Sequence, residues 1–401
     1  MPTPLRHRPP FGPRLGAVSL ITVCLTLLCT LSPAAAGTAS EPRPQPHDSL
    51  QQQLDELVRA PGGPPGVIAV LRDGKGSRVV RAGVAELGSG RGPEPDDHMR
   101  VASTAKAFSG AVALALVDRR YLSLDDTLRE RLPQLPPAWG SVTLRQLLNH
   151  TSGLPDFVEA PTFLNTLLAD PQHHFDPRRP LDHVADRQLR FPPGSRYQYS
   201  DSDNIAVALM AEAATRVPYE RLLDDLVYRP LGLRRTSLPQ GFRLPTPHLH
   251  GYDVSPPAVP ADVSELLSLS GAWASGGMVS TPADLTRFVR GYVGGRLYGR
   301  DRDVVREQRR WVPGAASDPA GPGRNDAGLG VFRYTTRCGV VLGHTGNTPG
   351  YTQLIAATPD GRRSLTFSTT TQINETMQPA LLRQLRAVQE NFVCSLLGHR
   401  G

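Results

Sequence analysis

Ser103-Thr104-Ala105-Lys106 opens an apolar, alanine-rich segment with helical spacing from Val101 to Val117. Residues three apart share a helix face, so the serine oxygen and the lysine nitrogen project together, one turn apart. A helix start also offers unpaired N–H groups and the positive end of the helix dipole, both suited to an oxyanion. The chemistry this allows is acyl transfer, with Ser103 as nucleophile and Lys106 as its base. A lysine does this work near neutrality only if burial or neighbouring charge draws it down from its ordinary value of about 10.4. The bland reading of the same tetrapeptide is a helix-capping serine followed by a surface lysine. Val101, Ala102, Ala105 and Ala107 argue against it, because they make the helix start apolar and hence buried.

The cation usage points the same way. Of 44 Lys and Arg residues only Lys75 and Lys106 are lysine. Arginine does not give up its proton in a protein, whereas a buried lysine does. Lys75 lies in the turn sequence Asp73-Gly74-Lys75-Gly76 and reads as exposed, which leaves Lys106 as the chemical candidate. Other chemistries find less support. No serine has glycine at both −2 and +2, so the G-x-S-x-G elbow is absent. His248-Leu249-His250 and His173-His174 lack further metal-ligand spacing and read as loop histidines. No metal or cofactor is expected.

Further segments give Lys106 a context. Tyr199-Ser200-Asp201 follows Pro193-Gly194-Ser195, and His344-Thr345-Gly346 lies in a strand-like region. With Ser103-Thr104-Ala105-Lys106 these three elements, in this order, resemble the S-x-x-K, Y-x-N and K/H-T-G motifs of the penicillin-recognising serine hydrolases. The group closest in pattern contains class C β-lactamases and secreted D-Ala-D-Ala carboxypeptidases. Leu147 to Leu154 (with Asn149-His150-Thr151-Ser152-Gly153), Ser275 to Thr281 and Gly328-Leu329-Gly330 resemble further hallmarks of that family. The resemblance spans roughly residues 50–395. The H-T-G form points to the carboxypeptidase branch, as does a cysteine six residues before that histidine.

The resemblance implies roles. Ser103 attacks an acyl carbonyl, and Lys106 and Tyr199 share the transfer of its proton. The backbone N–H groups of Ser103 and Asn347 form the oxyanion hole. His344, Thr345 and Gly346 line the site and meet a substrate carboxylate, with Arg333 as the counter-charge. Trp273 either walls the pocket or is a core aromatic. One departure stands out: the family's Asn is Asp201 here. An amide donates to a substrate carbonyl, whereas an ionised carboxylate only accepts. Asp201 would hold Lys106 as ammonium, and relatives with Tyr-x-Asp include esterase-like and other amide-cleaving enzymes. Asp203 and Asn204 are alternative occupants of the position. The implied substrate is a peptide or small acyl compound, such as a cell-wall stem peptide or a β-lactam. The implied function is a D-alanyl-D-alanine carboxypeptidase, with an esterase, β-lactamase or acyltransferase of the same fold as the alternative.

These residues must be positioned by a larger body. The chain has 401 residues, 39% apolar and 20% charged, an ordinary globular mixture. Its 38 Gly and 39 Pro indicate many loops. The formal charge of +7 owes part of its excess to Arg6, Arg8 and Arg14 in an acid-free leader. No basic run carries interleaved aromatics, so a nucleic-acid partner is not expected. Residues 1–36 read as a secretory signal: basic residues, an apolar run from Leu15 to Leu31, then Ala34-Ala35-Ala36 as the cleavage site. The expected location is therefore extracellular, with no membrane anchor after cleavage. Residues 37–48 read as a polar linker. Cys24 and Cys29 would leave with the leader. Cys338 and Cys394 remain as an even pair in an oxidising compartment, either bridged or as two buried thiols.

Strand patterns occur at 67–71, 79–84, 331–334, 340–342, 351–357 and 364–368, with helical patterns at 49–59, 204–216, 219–229 and 377–397. The stretches 155–195 and 297–325 read as irregular. The expected fold is α/β (α+β): a mainly antiparallel sheet flanked by N- and C-terminal helices, with an inserted all-helical lobe. The expected single catalytic domain covers 49–398, its sheet lobe about 49–102 and 285–398 and its helical lobe about 103–284. The site would lie where the lobes meet, in a monomer.

Overall fold

A computed structural model describes residues 46–399, apart from 75, 256–258, 300–302 and 314–320. The leader, most of the expected linker and Lys75 lie outside the described residues. Helix α1 (Pro46–Arg59) begins three residues earlier than the sequence pattern indicates.

Seven strands form one antiparallel sheet. They are β1 (Gly66–Arg72), β2 (Ser77–Gly83), β3 (Arg324–Ala327), β4 (Phe332–Thr336), β5 (Gly339–Thr348), β6 (Tyr351–Ala357) and β7 (Ser364–Thr369). Their spatial order is β2-β1-β7-β6-β5-β4-β3. The first strand, β1, and the last, β7, are neighbours inside the sheet, where Val67 pairs with Thr369 and Leu71 with Leu365.

Side chains alternate across a strand, so each strand feeds two cores. Val67, Ala69, Leu71, Leu354, Ala356, Leu365 and Phe367 pack under α1 and α5 (Pro379–Leu397). Ile68, Val70, Leu342, Ile355 and Ala357 pack against the helices on the opposite face. The latter include α2 (Ala105–Asp118), α3 (Asp201–Thr215) and α4 (Pro282–Val293). Helix α2 is buried from Ala105 through Leu116, which its almost unbroken apolar composition requires. A disulfide joins Cys338, in the β4–β5 turn, to Cys394 of α5.

The structure departs from the sequence pattern in places. The helix read from Val101 to Val117 is divided: Ala102–Thr104 is a 3-10 turn, and the α-helix starts at Ala105. The stretch 155–195 holds the short helices Phe157–Glu159, Pro161–Ala169 and Pro180–Val184. The stretch 297–325 holds a helix at Asp303–Gln308 and ends in β3. Strand β3 escapes a pattern search because Arg324-Asn325-Asp326 is polar, and its asparagine and aspartate are nonetheless buried.

Candidate active site

The site forms where the 102–104 turn is pressed between β5 and the helices. Ala102 has φ 50°, a left-handed conformation that few alanines adopt, and it turns the chain sharply just before Ser103. Gly346 of β5 lies against this turn, and a Cβ there would sit 2.3 Å from Val101 O and 3.3 Å from Ala102 Cβ. Only glycine lets the strand come this close. Asn347 follows directly, so its backbone runs beside Ser103.

Behind the turn, Gly110 of α2 meets Gly330. A Cβ on Gly330, whose φ is 66°, would lie 2.8 Å from Gly110 Cα. The Gly328-Leu329-Gly330 hallmark is thus a close-packing contact that seats α2.

Lys106 is 1% exposed. Its Nζ donates to Ser103 Oγ at 3.1 Å, Asp201 Oδ1 at 2.6 Å and the Ser275 carbonyl at 2.9 Å. An ammonium has three N–H groups, and all three are engaged. Ser275 O and an ionised Asp201 only accept. A neutral amine keeping both of them must therefore turn its lone pair to Ser103 Oγ–H. The partner set thus aims the lone pair of a deprotonated Lys106 at Ser103 Oγ. The Tyr199 ring centroid lies 4.8 Å from Nζ.

Asp201 is the first residue of α3, where its charge is favoured by the helix dipole. Asp156 Oδ2 accepts from its backbone N–H at 3.1 Å. Burial, with Asp201 as a second cause, pushes the Asp156 carboxyl up to about 7. The other candidates for the Asn position are occupied elsewhere. Asp203 accepts from Ser152 Oγ and bonds His150 Nδ1, and Asn204 donates to Ser109 Oγ at 2.6 Å. Burial raises Asp203 well above the carboxylate range and lowers His150 to about 3, so both are driven to their uncharged forms. Sequence reasoning did not single out Asp156 or place Asp203 here. Asp156 follows the Leu147–Leu154 hallmark by two residues, which is the one signal that could have found it.

His344 is buried, and its Nδ1 lies 2.6 Å from Thr345 O. Burial lowers the imidazole to about 3, so the ring is neutral at ordinary pH. A carbonyl oxygen only accepts, so the ring proton sits on Nδ1 and Nε2 is an acceptor. Thr345 is buried beside it on β5. Asn347 Nδ2 is tied to Thr352 Oγ1 and Ile373 O.

Two residues sit apart from the Ser103–Lys106–Asp201 hydrogen bonds. Trp273 is 1% exposed, packs edge-on to Tyr219 at 5.2 Å and donates to Glu220 Oε1 at 2.9 Å. Of its two readings, core aromatic fits these contacts. Its local role is to start the short helix Trp273–Gly276, which presents the Ser275 carbonyl to Lys106. Arg333 donates to Asp326 Oδ2 through Nε at 3.0 Å and Nη2 at 2.5 Å, so its charge is already matched.

No cluster of His, Cys, Asp or Glu among the described residues could hold a metal. His250 is instead bonded to Asp262 at 2.6 Å. No helix among them is long and apolar enough to cross a membrane.

Comparison with known proteins agrees with this geometry. The chain is 27% identical over 299 residues to the D-alanyl-D-alanine-carboxypeptidase/endopeptidase AmpH of Escherichia coli K12, covering 70% of this chain and 71% of that one. It is 29% identical over 316 residues to esterase EstB of Burkholderia gladioli, covering 70% and 75%. A D-stereospecific amidohydrolase from Streptomyces superposes with a TM-score of 0.72 at 29% identity, over 85% of this chain and 98% of that one. The family model described as Beta-lactamase matches residues 50–390, and the chain belongs to that family of serine hydrolases.

Proposed function

We propose that the protein is an exported serine hydrolase that cleaves amide bonds on the carbonyl side of a D-amino acid through an acyl-enzyme on Ser103. The D-alanyl-D-alanine end of cell-wall peptides is the first substrate to try. The observation that carries the reading is the buried Lys106 amine, 3.1 Å from Ser103 Oγ and bonded otherwise only to acceptors among its described partners. The substrate class draws on relatives that act on D-alanyl-D-alanine or are D-stereospecific, and export draws on residues 1–36.

In the reaction Ser103 Oγ bonds to the acyl carbon as its proton passes to Lys106. The carbonyl oxygen becomes an oxyanion facing the backbone N–H groups of Ser103 and Asn347. The C–N bond then breaks, and the leaving amine takes the proton, with Tyr199 beside Lys106 to help pass it on. Water attacks the ester by the same route in reverse and frees Ser103. A second reading, hydrolysis of small esters and simple amides, is favoured by Asp201, which cannot donate to a peptide carbonyl as an asparagine would.

Intact-mass measurement tests the shared step. The protein is mixed in turn with a penicillin, an activated acyl ester and a D-Ala-D-Ala peptide. A covalent adduct on Ser103 that is absent in Ser103→Ala supports the proposal, and release of D-alanine assigns the peptide substrate. No adduct with any of the three would overturn it.

A further inference from the structure

Asp201 carries information about the substrate beyond its hold on Lys106. Lys106 takes Oδ1, while the Asp201 side chain keeps 21% of its surface exposed, which leaves the carboxylate open to a second partner. An ionised carboxylate attracts N–H, O–H and cations and repels carbonyl and carboxylate oxygens. Three groups that could hold a substrate carboxylate are engaged: Arg333 by Asp326, the His344 Nδ1–H by Thr345 O, and Lys106 by three acceptors.

The charges lead to the same place. While Lys106 is an ammonium, it and Asp201 cancel. Attack by Ser103 needs the neutral amine, which leaves Asp201 as an uncompensated anion in a half-buried pocket, an unfavourable state. A cation supplied by the substrate removes this difficulty. The reach also fits. Ser103 Oγ and Asp201 Oδ1 both bond Nζ, at 3.1 and 2.6 Å, so they lie no more than about 6 Å apart. In an unblocked amino acid the nitrogen is about 2.5 Å from the carbonyl carbon by standard bond lengths. The span between an acyl carbon at Oγ and the carboxylate is therefore one that its ammonium can bridge.

We infer that Asp201 selects substrates whose acyl residue carries a free ammonium group beside the scissile carbonyl, so that the protein cleaves amides and esters of unblocked amino acids. The substrate's charge on Oδ2 disfavours the ammonium on Oδ1. Lys106 then releases one proton to solvent and accepts the Ser103 proton as the Oγ–C bond forms. The C–N bond breaks, the leaving amine takes that proton, and water later hydrolyses the ester.

The inference rests on the acyl-enzyme reading above, ranks amides of unblocked amino acids ahead of the N-acylated D-alanyl-D-alanine end, and is tested so that the two fail separately. Turnover of D-alanine p-nitroanilide is compared with that of N-acetyl-D-alanine p-nitroanilide by the full protein and by Asp201→Asn, with Ser103→Ala as the blank. The free-amine compound is expected to have at least tenfold higher kcat/KM in the native protein. Asp201→Asn should lower that ratio at least tenfold, and Asp201→Glu should keep its direction. Equal or faster cleavage of the acetylated compound by the native protein overturns the inference alone, as does an unchanged ratio in a folded Asp201→Asn. Should that variant not fold, the native ratio decides. If Ser103 is acylated by neither compound nor by an activated ester, the acyl-enzyme reading falls and the inference with it.

Discussion

Gly346 and Val101 are packed with no room for a side chain between them: a Cβ on Gly346 would lie 2.3 Å from the Val101 carbonyl oxygen. Strand β5 and the turn bearing Ser103 are thereby held at a fixed spacing. Gly346→Ala should push the strand away from the turn. Because the contact is backbone on backbone, the strain has no flexible side chain to absorb it. We expect acylation by an activated ester to slow by about 100-fold or more, with the far-ultraviolet circular dichroism spectrum retained. A variant acylated at the native rate would contradict this.

Lys106 Nζ is the amine that donates to Ser103 Oγ, at 3.1 Å. Lys106→Ala should reduce acylation by about 1000-fold or more. It also leaves the Asp201 carboxylate without its cation. Lys106→Ala with Asp201→Asn should therefore regain thermal stability relative to the single variant while staying inactive. Melting temperatures of the pair check the first part and intact mass the second.

His344 gives a signed pH dependence. Burial depresses its imidazole to about 3 in the folded state, below the ordinary value of 6.5. The unfolded chain binds the proton more readily, so the stability linked to this group is fully present above pH 6.5 and is lost as pH falls toward 3. His344→Asn keeps a donor for Thr345 O but does not titrate. Between pH 6.5 and 5 the native protein should lose about 2 kcal/mol more than this variant in urea unfolding, at about 1.4 kcal/mol per pH unit. Asp156 and Asp203 shift in the opposite direction and act alike in both proteins, so they drop out of the comparison. Parallel pH curves would refute the assignment.

Asp156 should act on rate through Asp201. With its carboxyl raised to about 7, it ionises as pH passes neutrality and adds a second negative charge beside Asp201. That charge favours ammonium on Lys106 and slows acylation. Asp156→Asn stays neutral, so its kcat/KM relative to the native protein should rise several-fold from pH 6 to pH 8. The raised value also means that native stability falls as pH climbs through 7 relative to this variant. A ratio constant across that range would refute the coupling.

The Cys338–Cys394 bond closes a loop of 56 residues between the β4–β5 turn and α5. Chain-entropy arithmetic gives about 4 kcal/mol for such a loop, and observed values often fall below it. Cys394→Ser should lower unfolding stability by about 2–4 kcal/mol. Six strand residues at roughly 3.3 Å each separate Cys338 from His344, or about 20 Å, so the acylation rate should stay within twofold. Urea melts and ester kinetics on the same sample decide both parts.

Much of the frame is legible in residue order. The apolar run at 67–71, the largely apolar 351–357 and the alternating 364–368 read as strands, and the structure confirms them. Ser103 and Lys106 declare themselves because their relation is local: three residues along a helix start bring them together whatever the rest of the chain does. The burial of Lys106 is legible too, since an unbroken apolar segment has to be enclosed. Strand β3 was hidden because its buried polar residues break the alternation.

What the sequence by itself determined is therefore the pairing of Ser103 with Lys106, the central strands and helices, and an aspartate where the resembled family has asparagine. Only the tertiary structure decided that Asp201 rather than Asp203 reaches Lys106, that Arg333 is matched by Asp326, that Trp273 lies in the core and that Asp156 stands behind Asp201. The reason is physical. Those contacts join segments tens to hundreds of residues apart, and charge and burial at each position depend on which distant group arrives there.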